Sequence, residues 1–125
     1  MRQEEKEMLY KDICSRLPYG VKCEVYGRIG VLDEVTTFYG VGVTYSNGQD
    51  TTCRIDECKP YLLPLSSMSD EEKNKLSDKL IELQLKALSD EIDSSASSIY
   101  EIDYYVSHHI DYRGLIPMGL AKDAT

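Results

Sequence analysis

The spacing of apolar positions changes twice along the chain, and each change marks a different kind of element. Leu9, Ile13 and Leu17 recur four apart with Tyr10 and Cys14 beside them, while Glu4, Glu5, Lys6, Lys11, Asp12 and Arg16 fill other faces. That period predicts an amphipathic helix over residues 3–17, stopped by Pro18 and Gly20. From Val21 the period becomes two. Val21, Cys23 and Val25 alternate with Lys22, Glu24 and Tyr26; Ile29, Val31 and Val35 continue the same parity after Gly27. Tyr39, Val41, Val43 and Tyr45 follow, then Cys53 and Ile55. This reads as a four-stranded antiparallel meander over 21–57, odd residues inward, with turns at Gly27, near Thr37 and at Ser46-Asn47-Gly48. Leu32 and Asp33 break the parity and predict a bulge or bend.

Lys59-Pro60-Tyr61-Leu62-Leu63-Pro64 reads as an extended connector leaving the sheet. Ser69 and Glu72 then form a capping box, with Asp70 and Glu71 also at the positive end of the helix dipole. Leu76, Leu80, Leu83 and Ala87, with Ile81, Leu85, Leu88 and Ile92, make a stripe wide enough to predict two buried faces. The serines from Ser94 to Ser98 interrupt it, and Ser98 with Glu101 predicts a second start, with Ile99, Ile102, Val106 and Ile110 sharing a face. Gly114 and Pro117 end that helix, so 69–110 holds two helices and 111–125 an extended tail.

The elements predict a single α+β domain over 1–125: an N-terminal helix, a four-stranded meander and two C-terminal helices. A curled, SH3-like barrel and an open sheet roofed by helices both fit.

Charge narrows the partners. The net charge is −8, and residues 69–93 carry eight acids against four bases. No segment has the positive balance that phosphate backbones or anionic membranes require, so direct nucleic-acid and membrane partners are not expected. The acidic, polar N-terminus is unlike a signal peptide, and with no long apolar run the reading is a cytoplasmic protein whose four cysteines are reduced thiols.

Candidate chemistry is sparse. His108 and His109 are adjacent, a spacing that on a helix points their rings about 100° apart and prevents chelation of one ion. His108 is expected exposed at a helix C-terminus, and His109 near the Ile102 and Val106 face. No metal or cofactor is predicted, the cysteines lack paired zinc spacing, and Cys23 and Cys53 share the parity of core residues. Tyr39-Gly40-Val41-Gly42-Val43 reads as a strand rather than a dinucleotide loop. No catalytic residues are assigned. The aromatic set is uneven, with ten tyrosines, one phenylalanine and no tryptophan. Tyr100, Tyr104, Tyr105 and Tyr112 crowd the last helix, and exposed tyrosine is favoured at interfaces. With His108, Asp111 and Arg113 they form the candidate interaction surface; Arg113 could hold a carboxylate or phosphate in its planar fork or pair with a surface acid.

Arg16-Leu17-Pro18-Tyr19-Gly20-Val21, Lys59-Pro60-Tyr61-Leu62 with Ser66-Ser67-Met68, and His109-Ile110-Asp111-Tyr112-Arg113-Gly114-Leu115-Ile116-Pro117 resemble a group of small uncharacterised proteins encoded in bacterial prophages and other mobile elements. The resemblance implies a bacterial cytoplasm and an accessory role, and adds no site residues. The leading expectation is a non-enzymatic protein that binds another protein, with self-association left open. The alternatives are an acidic DNA mimic occupying a nucleic-acid-binding protein, a small hydrolase using His108 or His109, and a small-molecule or peptide binder at the open end of the meander.

Overall fold

Helix α1 (Gln3–Arg16) opens the chain in the computed structural model, which describes all 125 residues. Glu5 reaches back to accept the Arg2 main-chain N–H at 3.0 Å, which satisfies one of the donors a helix start leaves free. The helix buries Leu9, Asp12, Ile13 and Arg16 along one stripe. Asp12 and Arg16 therefore lie inside, a correction to their expected place on the outer faces.

Strands β1 (Lys22–Val25) and β2 (Arg28–Thr36) are joined by the two-residue turn Tyr26-Gly27, at φ of 52° and 77°. Both central residues of such a turn take positive φ, which suits Gly27. In this hairpin Cys23 faces Gly30 and Val25 faces Arg28, so inward positions switch from odd to even. Ile29 and Val31, expected inward, are instead 56% and 42% exposed, while Leu32 is buried. The expected bulge falls between Leu32 and Glu34, and its extra residue restores odd parity, with Val35 opposite Val41. Strand β3 (Gly40–Tyr45) then buries Val41, Val43 and Tyr45, and β4 (Asp50–Arg54) sets Cys53 opposite Val41.

After a single 3-10 turn, Ile55–Glu57, the expected connector is a strand, β5 (Cys58–Pro64), antiparallel to β1 with Val25 opposite Cys58 and Cys23 opposite Pro60. A proline removes one donor and leaves the other positions free to pair, which the reading of a connector overlooked. Two short strands, β6 (Ile110–Asp111) and β7 (Lys122–Asp123), lie parallel to β5. The sheet thus has seven strands in the order β4-β3-β2-β1-β5-β6 with β7 beside β5, rather than four. Its inner face and α1 enclose the main core, sixteen buried residues from Leu9 to Ala121.

Helices α2 (Asp70–Leu88) and α3 (Ala96–Ser107) form a hairpin. The Ser69 hydroxyl accepts the Glu72 N–H at 3.1 Å, as the capping pattern requires. The expected start at Ser98 is pre-empted: Asp93 accepts from the Ser95 N–H and hydroxyl at 2.8 and 2.6 Å, and α3 begins at Ala96. It ends at Ser107, because His109 takes a positive φ of 56° and turns Ile110 into β6. Residues 111–125 are not an extended tail; Leu115, Leu120 and Ala121 are buried in the main core. Nor does α2 bury two faces. Only Leu76 is buried, and Ile81, Leu85 and Leu88 are exposed. No helix is long and apolar enough to cross a membrane.

Candidate functional site

At the junction of α1, α3 and β6 a charged cluster sits out of water. Arg16 holds Asp12 with two bonds, Nε to Oδ2 at 2.8 Å and Nη2 to Oδ1 at 3.2 Å, and its Nη2 also donates to the Ile110 carbonyl at 2.7 Å. Both side chains are completely buried. Arg113 brings a second guanidinium within 3.3 Å of the same Asp12 Oδ1. Asp111 supplies a second carboxylate nearby in sequence. Its two oxygens accept the N–H groups of Leu115 and Ile116 at 2.8 and 2.9 Å, closing a loop whose Gly114 has a φ of 78°. The string from Asp111 to Ile116 is thus a clamp: Asp111 shapes the loop, Leu115 enters the core and Arg113 ties it to α1. A buried ion pair adds little net stability by itself, but removing one partner strands the other charge.

Against this cluster runs a series of rings. His108 stacks on Tyr104 at 4.1 Å between centroids; Tyr104 meets Tyr105 edge-on at 6.2 Å; Tyr105 stacks on Tyr112 at 5.7 Å. The Arg113 and Arg16 guanidinium carbons lie 5.0 and 5.9 Å from the Tyr112 centroid, within cation–π range. Six of the seven candidate residues are therefore neighbours. Tyr100 stands apart on α3, with the Lys79 ammonium 5.8 Å from its ring. Their exposure differs: His108 and Tyr100 are exposed, Tyr104, Tyr105, Tyr112 and Arg113 half-buried, and Asp111 buried. Burial, then Glu101 and Tyr104, hold the Tyr105 hydroxyl above the usual tyrosine range.

His108 lies exposed at the end of α3, its Nδ1 2.8 Å from the Tyr104 carbonyl oxygen. His109 is half-buried beside Arg16 and Tyr19, toward α1; burial, then the Arg16 charge, push its pKa down, against an opposing contact with the Tyr19 main chain. No carboxylate bonds either ring. The thiols of Cys23, Cys53 and Cys58 are buried together in the main core, where Cys53 is pushed up by its contact with Cys58 and by burial, and Cys58 by its contact with Cys23 and by burial. No group of three or more His, Cys, Asp or Glu side chains converges to hold a metal ion. On α2, Glu71 pairs with Lys75, and Glu82 with Lys79 and Lys86, so part of the helix's negative charge is offset locally.

Sequence reasoning missed Asp12 and Arg16, although the signal was present. Their positions fall with Leu9 and Ile13 on the i, i+3, i+4, i+7 stripe, and their opposite charges are four apart. In comparisons with protein-family models, curated proteins and solved structures, nothing matches the chain.

Proposed function

We propose that this chain is a non-enzymatic interaction protein, an accessory of phage or mobile-element origin acting in a bacterial cytoplasm, that binds a protein partner through the C-terminal end of α3. The observation that supports this is the run of rings from His108 through Tyr104 and Tyr105 to Tyr112, exposed at its His108 end and flanked by two arginines at its Tyr112 end. Rings held rigid before binding lose little entropy on contact, the property that makes tyrosine effective at interfaces. The sheet is read as an SH3-like curl, supported by the β4-β3-β2-β1-β5 order and the 3-10 turn that leads β5 back to β1. The curl is the scaffold, and the α3 end is the contact.

The test is affinity capture from the native host with wild type, Tyr104→Ala and His108→Ala, each checked for an unchanged circular dichroism spectrum. Both variants should lose the captured partner. Equal recovery by all three proteins would refute the surface.

A further inference from the structure

The α2–α3 hairpin carries a second surface, which shares only Tyr105 with the ring series. Two grooves of about 410 and 270 Å³ lie along the seam of the hairpin and share Leu80 and Glu101, so they form one furrow, walled on one side by Ser77 and Gln84 and on the other by Tyr105 and Ile102. Next to it on α2, Asn74, Ser77, Ile81, Gln84 and Leu88 follow alternating steps of three and four, with Leu85 alongside. That row has the spacing of a helix–helix seam, apolar at Ile81 and Leu88 and polar at Asn74, Ser77 and Gln84. It bears no charge, although α2 is otherwise rich in Asp, Glu and Lys, and it lies open: Ile81, Leu85 and Leu88 are 52%, 59% and 82% exposed, and Ile102 beyond the furrow is 44% exposed.

We propose that two copies of this chain associate through this face, their α2 helices antiparallel about a two-fold axis near Gln84 and Leu85. A groove between helices takes a helix with apolar anchors at i, i+4 and i+7, and Ile81, Leu85 and Leu88 have that spacing. Furrow and seam lie side by side, so one two-fold contact covers both in both copies and closes without leading to a chain of subunits. Antiparallel packing sets Ile81 of each copy against Leu88 of the other and opposes the helix dipoles. At 1.5 Å per residue α2 is about 28 Å long and α3 about 18 Å, each about 9 Å wide. This gives about 400 Å² per copy, or about 800 Å² in all, the size of a weak, transient contact. The dimer is therefore weak, forming between about ten and several hundred micromolar.

Sedimentation equilibrium of the full chain should show a reversible monomer–dimer equilibrium across that range. Leu85→Glu should leave only monomer, and so should Leu88→Glu, whose site is exposed enough that folding is unaffected. In a Cys14→Ser background, Gln84→Cys should form an intermolecular disulfide under mild oxidation. A chain that stays monomeric at several hundred micromolar, or a dimer that survives both glutamate substitutions, would overturn the proposal; failure of Gln84→Cys to cross-link would overturn the antiparallel pairing. Capture of a host protein by the α3 end reports on neither result.

Discussion

The two halves of the molecule are stabilised in different ways. The sheet and α1 share a core of sixteen buried residues closed by strand pairing on several sides, whereas the hairpin rests on three, Met68, Leu76 and Ile110, with Leu63, Leu80, Tyr104 and Tyr105 around them. A helix covered on one side only gains less from burial, and its opening need not carry the rest of the fold with it. The first half holds its shape through its own contacts; the second leaves apolar surface for something else to cover.

The contrast can be broken most strongly at the charged cluster. Asp12→Ala would leave the buried Arg16 and the half-buried Arg113 guanidinium groups without their shared carboxylate and should lower stability by about 3–5 kcal/mol, read from chemical denaturation. In the main core, Leu9→Ala should cost about 2–5 kcal/mol and move the whole cooperative transition to lower denaturant. Leu80→Ala, half-buried in the hairpin, should shift that transition less and instead speed amide exchange in α2 while β1 to β3 stay protected. Equal acceleration of exchange in both halves would show one cooperative unit.

A smaller effect is expected at Ser69. Its hydroxyl caps α2, so Ser69→Ala should cost about 1 kcal/mol, seen as faster exchange over the first turn. The finest test is pH. Burial and Arg16 disfavour the charged form of His109, so its folded pKa lies below its unfolded value of 6.5. The unfolded chain then takes up the proton first as pH falls. His109 thus contributes stability that is complete above 6.5 and is lost as pH drops through the folded pKa. His109→Asn, which tolerates the positive φ, should flatten that part of the melting-temperature profile between neutral and mildly acid pH.

The sequence was most legible where a period ran unbroken. The α1 stripe, the inward Val41, Val43 and Ile55, and the Ser69 cap are local patterns, and local patterns set them. Ile29 and Val31 were misread because a two-residue turn reverses strand parity, a rule of pairing rather than of composition. β5 was hidden by its prolines and by pairing with a strand more than thirty residues earlier. Six of the seven residues of the α3 surface were brought together by the fold, yet their roles were not separable in advance. Asp111 is a loop clamp and Arg113 a tie to α1 because of where Asp12 lies, and no spacing within residues 111–113 records that.

The tie between Arg16 and the Ile110 carbonyl spans 94 positions. A nascent chain emerging from the ribosome can coil α1 and pair the hairpins early, but the Asp12 and Arg16 side chains lack their remaining partners until residues 110–113 have left the exit tunnel. Closure of the charged cluster therefore waits on a segment made long after α1, and it acts as a latch that joins α1 to β6 and the loop that follows it.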